Sequence, residues 1–475
     1  MPRIPFAVHS YRLDSLPASA QDLINLYAEA VPPVGRSEVL VRHVPGLADW
    51  GTAGTGIVWA MKVWRDRLYS ISGGPTYAVY QHNNGGAGTD LGDLADGGSV
   101  PFSMAASSTQ LVIVAAPEAY IVSTTGTITH ITDVDFPDVT SVCYIDGYFI
   151  FSKKNTDQYI WSAVLDATSY DALDIASAET VPDGLKRVFE HRNELWLFCS
   201  RSIEIHRSTG DPDQPFARQS GGLISVGTHS GESVAEVGGS MLWLGHDNVV
   251  YRSEGHQAVR VSTHAIEKEI ERFGSILAAR ACGLSYQGHQ QYVLTLLRSG
   301  GESNPGLTVV YDMTTGLWHK RSSAENSSGL PREWYPTVSV RWFDKCLVGN
   351  GDGSGDILAL DQSIATENGT ATKCVATLPP LWANTDWAFM DRLELEFEPG
   401  ANASELDVDL EYSDDGGFTW STAVSRSMGT SGQRGKRVYW NRLGKFRQRV
   451  IRFRFDAGAV LSLYGADIKA RGLRE

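Results

Sequence analysis

A strand-turn-strand unit that returns seven times constrains this chain more than any other feature. Its clearest copy is Glu194–Arg207, ELWLFCSRSIEIHR. There Leu195, Leu197 and Cys199 alternate with Trp196, Phe198 and Ser200, and Ile203 and Ile205 alternate with Glu204 and His206, the period of a pleated strand. The other copies are Arg67–Tyr80, Gln110–Ser123, Gly147–Ser162, Ser240–Ser253, Gln290–Asp312 and Lys345–Asp361. Their first core strands begin near Leu68, Leu111, Phe149, Leu195, Leu242, Tyr292 and Leu347, a mean spacing of about 46 residues, inside the roughly 40–50 of a four-stranded propeller blade.

Each hairpin is preceded by an apolar segment with small residues suited to a central channel, such as WAMKVW, FSMAAS and LKRVFEH. Several are followed by a more polar strand suited to an outer edge, such as TITHIT, FARQS or GLWHKR. A lone hairpin cannot bury its face, whereas seven arranged radially can. The chain is therefore read as all-β, with a seven-bladed β-propeller over residues 56–363. The competing reading is an ordinary β-sandwich of meandering strands; the propeller is preferred to it because one period holds across about 300 residues. Forty-eight glycines and thirteen tryptophans agree, supplying tight turns and aromatic plates between sheets.

Residues 1–55 read as an N-terminal arm with a short helix at Ala20–Val31, where Leu23, Leu26 and Tyr27 share a helical face and Pro32-Pro33 forms the stop. Arg36–Asp49 reads as a strand into a Pro-Gly turn. A second helix is expected at His264–Phe273, N-capped by Thr263 and stopped by Gly274. Glu302–Pro305 and Ala324–Pro331 read as flexible polar loops, and Ile364–Thr370 as a linker. Beyond it, longer alternating strands, among them Arg392–Glu398, Leu406–Tyr412 and Phe446–Phe455, predict a C-terminal β-sandwich over residues 364–475.

No apolar run approaches the roughly 18 residues of a membrane span, and the first residues lack the apolar core of a signal peptide, so no membrane is expected and synthesis is placed in a cytoplasm. The five cysteines have neither disulfide nor zinc spacing and read as small buried hydrophobes. Net charge is −14, unevenly spread: Thr430–Glu475 carries a balance of +9, which leaves −23 on Met1–Gly429. Such a body repels phosphate and argues against general nucleic-acid binding.

Ser413–Trp420, SDDGGFTW, fits the Asp-box pattern through Ser413, Asp415, Gly417, Thr419 and Trp420. This is the chemistry of a turn: the carboxylate accepts backbone N–H groups, glycines permit positive φ, and the indole packs beneath. Asn350–Asp361 loosely follows calcium-loop spacing, but without Glu at its twelfth position it reads as a glycine-rich turn. Nucleophile-elbow, zincin, Walker, paired C-x-x-C and dinucleotide motifs are missing, and histidines such as His191, His206, His246 and His289 lack ligand spacing. No catalytic residue, cofactor or metal site is therefore expected. A glycosidase carboxylate pair is fixed in space and not by spacing, so the sequence leaves that chemistry open.

The basic end offers docking residues instead: Lys436, Arg437, Arg447, Arg449, Arg452 and Arg454. Arg447 and Arg449 fall on one strand face and Arg452 and Arg454 on the other, which predicts a kink at Val450–Ile451. An acidic protein neighbour is the expected partner, since arginine serves carboxylate as well as phosphate and the acidic body repels DNA.

Asp22–Glu29 (DLINLYAE), Glu179–Gly184 (ETVPDG), Ser202–Gly210 (SIEIHRSTG), Ala265–Ile270 (AIEKEI) and Lys436–Phe455, in this order and spacing, resemble the packaged-DNA stabilisation proteins, also called tail accessory or hub proteins, of short-tailed bacteriophages. The resemblance implies a structural virion protein of the tail, a homohexameric ring or nozzle below the portal and its adaptor. Its partners would be further copies of itself, the adaptor and portal above, a tail needle or tip, and fibres or spikes alongside. DNA would pass through the ring without being specifically bound, and synthesis would occur in the host cytoplasm. The Asp box supports a second reading, a sialidase-like propeller that binds or cleaves glycans.

Overall fold

The computed structural model describes residues 3–31, 39–94, 99–178, 180–181, 183–274, 278–297, 305–383, 386–399, 405–457 and 461–473. Five of its sheets are antiparallel four-stranded blades built from consecutive strands, and a sixth blade of the same build forms the end of a larger sheet. Blade 1 runs Ile57–Trp64, Arg67–Gly73, Tyr77–His82, Gly88–Asp93; blade 4 runs Leu185–His191, Glu194–Cys199, Ile203–Ser208, Phe216–Ile224; blade 6 runs Ala279–Tyr286, His289–Leu296, Leu307–Asp312, Leu317–Arg321. Every repeated hairpin forms the middle pair of a blade, because alternating residues must face two neighbouring blades at once. Between blades 4 and 5, for example, Trp196, Phe198, Ile203 and Ile205 pack against Met241 and Trp243. Each of the seven blade interfaces has its own buried cluster of this kind.

Blade 7 departs from the rule of consecutive strands. Val338–Trp342, Lys345–Gly349 and Asp356–Asp361 supply three strands, and the fourth is Gly46–Thr52, paired antiparallel from Asp356↔Thr52 to Asp361↔Gly46. The propeller thus extends N-terminal to the expected start at residue 56. Borrowing this strand closes the ring by hydrogen bonds and leaves the last blade no raw outer edge.

The arm is not helical where a helix was expected. Ala20–Ile24 and Leu26–Ala30 are strands, separated by Asn25 at φ 56°. This single left-handed residue reverses the alternation, so Leu23 and Leu26, three apart, both enter the sandwich core. A helical spacing has been produced by two strands in opposite phase. Pro32, Pro33 and Arg36–Glu38 lie outside the described residues, as do Glu302–Asn304 of the first expected loop and Glu179 and Pro182 of the ETVPDG stretch.

Both sandwich sheets use arm strands. One sheet orders Leu26–Ala30, Val39–His43, Ser462–Leu473, Trp387–Phe397 and Val438–Asn441, with Arg3–Ile4 on its edge; the other holds Ala20–Ile24, Thr370–Thr377, Gln448–Ala457, Asp407–Ser413 and Val424–Ser427. Ile4, Leu23, Leu26 and Val41 of the arm share one core with Leu393, Leu410, Trp440 and Phe453. Burying Leu23 and Leu26, each fully inaccessible, contributes about 3–6 kcal/mol together.

The expected linker is also structured. Thr366–Glu367 and Thr370–Thr377 form a hairpin through Asn368 and Gly369, both at positive φ as a tight Asn-Gly turn requires. Glu367 in turn pairs in parallel with Leu47 of the closing strand. The helix His264–Phe273 forms as expected, Thr263 accepting from the Ile266 N–H and Gly274 ending it at φ 92°. All five cysteines are free and buried.

Candidate functional site

Two regions gather polar chemistry: the propeller axis and the junction of propeller with sandwich. Along the axis, the innermost strands of adjacent blades lie side by side without a ladder, and side chains bridge them. Ser103 Oγ on blade 2 receives the Val142 N–H of blade 3 at 3.2 Å, Ser141 Oγ receives the Val188 N–H of blade 4 at 3.0 Å, and Ser339 Oγ of blade 7 donates to the Gly283 carbonyl of blade 6 at 2.6 Å. These three serine bridges, at three of the seven seams, account for part of the small-residue content of the channel-facing segments.

A cavity of about 520 Å³ on the axis is touched by all seven blades, and a second adjoins it; Phe102, Ser103, Arg187, Glu232 and Arg280 border both. Arg280 donates to Glu232 at 3.0 Å and reaches past blade 7 to lie 4.5 Å over the Trp59 ring of blade 1. Arg187 donates to the Gly231 carbonyl at 2.9 Å, and burial lowers its pKa. These arginines are committed to protein partners and do not form the free cluster that would grip a sialoside carboxylate. Among the described residues no group of three or more His, Cys, Asp or Glu could hold a metal ion. In the expected glycine-rich turn of blade 7, the Ser354 N–H donates to Asp352 at 2.8 Å.

At the junction, blade 6 is continued into the sandwich by the arm strand Ala20–Ile24, which pairs with Lys320 on one side and with Val375–Thr377 on the other. Asn25 donates from Nδ2 to the Lys373 carbonyl at 2.8 Å, and its own N–H donates to the Lys320 carbonyl at 2.9 Å. Behind it, buried Lys320 bridges Asp22 at 3.0 Å and Glu269 of the helix at 2.8 Å. Burial alone would lower the Lys320 pKa, but the two carboxylates raise it; burial raises Glu269. Arg321, fully buried, donates to the Pro45 carbonyl at 3.0 Å and stacks 3.9 Å over Trp334. The sequence reading missed Asn25, Lys320 and Arg321. A residue tolerant of positive φ between two short alternating runs was the available sign for Asn25; for the other two, nothing local distinguishes them from solvated cations.

The Asp box forms the hairpin between Asp407–Ser413 and Val424–Ser427. Asp415 accepts the Phe418 and Thr419 N–H groups at 3.0 Å and the Ser413 hydroxyl at 2.6 Å, with Ser413 Oγ taking the Gly417 N–H at 2.7 Å. The Ser413 bond first, then Thr419, holds the carboxyl well below the usual carboxylate range. Gly416 lies against the arm so closely that a Cβ there would meet Pro17 at 2.6 Å. Trp420 is half-buried, with Arg452 stacked 3.8 Å from its ring.

The six expected docking residues do not present one charged edge. Arg449 is buried, forked onto Asp414 at 2.7 and 2.8 Å and donating to the Leu443 carbonyl at 2.7 Å. Gln448–Ala457 runs without the expected kink, in unbroken register from Ser413↔Val450 to Val408↔Phe455. Arg449 keeps the inward phase of Ile451, Phe453 and Phe455, and Asp414 neutralises it at the rim of the core. Arg437 forks onto Glu394, Arg452 pairs with Glu411 at 2.7 Å, and Arg454 with Glu325 at 2.8 Å. Arg447 is exposed and lies 4.8 Å over Trp387; Lys436 is half-buried.

Two family models match this chain in the order in which its two bodies occur: one described as bacteriophage P22 Gp10, beta-propeller, over residues 18–349, and one described as bacteriophage P22 Gp10, beta-sandwich, over residues 374–471. No curated protein matches it. Among solved structures, the chain is similar to the WD40 beta propeller domain of Doa1 at 12% identity, covering 66% of this chain and 97% of that one with a TM-score of 0.40. It is also similar to the Neurospora crassa Pan2 WD40 domain at 8% identity, with coverage of 66% and 95% and a TM-score of 0.42. The blade assignment rests on the strand registers and the family models.

Proposed function

Since the chain belongs to the bacteriophage P22 Gp10 family, DNA-stabilisation tail proteins of short-tailed phages, we propose that copies of this virion protein close a ring, a homohexamer, below the portal and its adaptor. The ring continues the DNA channel and helps retain the packaged genome, with a tail needle or tip and fibres or spikes as its other neighbours. It is made in the host cytoplasm and assembled into the tail. The observation that carries this reading is the family match to both bodies, in sequence order and over most of the chain.

Two physical features support it. Arg187, Glu232 and Arg280 project into the subunit's own axis, where they border two cavities, and the conduit for DNA is placed between subunits and not through a propeller. The balance of −14, with the C-terminal arginines largely held by internal carboxylates, suits a wall along which DNA slides without binding. The role is structural and not enzymatic. Native mass measurement and electron microscopy of the purified chain mixed with portal and adaptor should give a closed ring of six copies; a chain that stays monomeric in that mixture refutes the proposal. Purified protein should not turn over a sialoside or a bacterial surface polysaccharide.

A further inference from the structure

We propose that the cleft where arm, propeller and sandwich meet is a binding site for a small oxyanion. The cavity measures about 180 Å³. Its floor is the strand pair in which Val375 opposes Arg454 and Thr377 opposes Arg452, side chains of opposed residues lying on one face. One wall is the arm hairpin that sets Arg12 opposite Ala20, the other is the loop from Ser322 to Pro331, and Trp420 stands at the rim.

Charge is what distinguishes this cleft in an acidic protein. Arg12, Lys373, Arg452 and Arg454 line it against only Asp22 and Glu325. Asp22 is engaged by Lys320, which lies behind the cleft, and Glu325 serves two cations at once, Arg454 at 2.8 Å and Lys373 at 3.0 Å. Arg452 is paired with Glu411 and fixed in orientation by Trp420. Among the described residues Arg12 has no ion-pair partner. Burial lowers the pKa of Arg452 in spite of the opposing pull of Glu411, with Arg454 and Arg12 adding smaller contributions in the same direction as burial. Guanidinium forks match the geometry of phosphate and carboxylate. The volume is below the roughly 300 Å³ at which pockets begin to hold drug-sized molecules. What fits is a single phosphate or carboxylate group, free or at the tip of a larger partner. The proposal does not depend on ring assembly.

The test uses the full-length protein, with inorganic phosphate, acetate and chloride compared at matched ionic strength by calorimetric titration and thermal melting. Saturable binding of phosphate that raises the melting temperature is expected, with chloride inert. Arg12→Gln should weaken that binding at least fivefold while leaving the melting temperature in chloride unchanged, and Arg454→Gln should weaken it as well. If acetate binds with the same dependence on Arg12 and more tightly than phosphate, the natural ligand is a carboxylate such as an acidic side chain of a neighbour; if phosphate is preferred, it is a phosphoryl group. Phosphate and acetate both indistinguishable from chloride, or Arg12→Gln binding like the wild type, would overturn the proposal.

Discussion

Asn25 and Ser322 hold each other across the junction by a reciprocal pair of hydrogen bonds, the Ser322 N–H donating to Asn25 Oδ1 at 3.0 Å and Asn25 Nδ2 donating to the Ser322 carbonyl at 2.8 Å. With the bond to Lys373, one carboxamide ties the last strand of blade 6 to the sandwich. Asn25→Ala leaves two buried backbone groups of Ser322 and the half-buried Lys373 carbonyl without this partner and keeps a strained left-handed φ, so a loss of about 2–4 kcal/mol is expected. Asn25→Gly relieves the strain alone and should recover roughly 1 kcal/mol of that. Urea unfolding of both variants checks the order; equal stability of wild type and Asn25→Ala would show that the junction is held elsewhere.

Arg449→Glu should unfold or severely weaken the protein, by about 3–5 kcal/mol, because it puts a second carboxylate beside Asp414 at the rim of the core. Arg447→Glu, at an exposed position, should change stability by about 0.5 kcal/mol or less. A double-mutant cycle of Arg449 with Asp414 measures the coupling. If Arg447 docks an acidic neighbour, its reversal lowers assembly onto portal and adaptor while the melting curve stays put.

Asp415→Ala removes the acceptor for two backbone N–H groups in an exposed turn, where water replaces part of what is lost, so about 1 kcal/mol is expected. Gly416→Ala should cost more. It meets Pro17 and requires positive φ, and it should loosen the arm, read as faster protease cleavage near residue 17.

Acid should destabilise the fold through two histidines. Burial first, and Arg321 second, push the His43 pKa down to about 4; burial also takes His319 to about 3. An unfolded chain protonates both near 6.5, so the stability of keeping them neutral is complete above that pH and is lost as pH falls toward their folded values. From pH 7 to 5, His43 alone accounts for roughly 2 kcal/mol. His289 acts with the opposite sign, its pKa raised first by its hydrogen bond to Asp312, so the test is a difference: His43→Gln should flatten the slope of unfolding free energy against pH. An unchanged slope in that variant would rule His43 out.

How much was legible in the sequence depended on how local the deciding contact is. The blades could be read because alternation and turn residues lie within each 46-residue repeat, and the helix His264–Phe273 because Thr263 and Gly274 mark its ends. Leu23 and Leu26 misled because the phase reversal at Asn25 is imposed by partners about 300 and 350 residues away. Arg449 could not be told from Arg447 by type or spacing; a carboxylate contributed by a neighbouring hairpin separates them. The oxyanion cleft was half visible, in Arg452 and Arg454, and half not, since Arg12 and Lys373 come from segments distant in the chain.

The closing strand Gly46–Thr52 sets a clock on biosynthesis. It leaves the ribosome early, but its ladder partner ends only at Asp361, about 310 residues later. At roughly 5–20 residues per second, the first-made strand waits about 15–60 seconds with its hydrogen-bonding edge unpaired. The arm strands wait longer still for Gln448–Ala457 and Ser462–Leu473. During that interval neither body can be completed, and a chain cut short in blade 7 exposes two open sheet edges to its neighbours on the polysome. Rapid synthesis, with many copies made at once, therefore puts strand exchange between nascent chains in direct competition with ring closure, and the yield of this protein should fall with rising synthesis rate sooner than its folded stability would suggest.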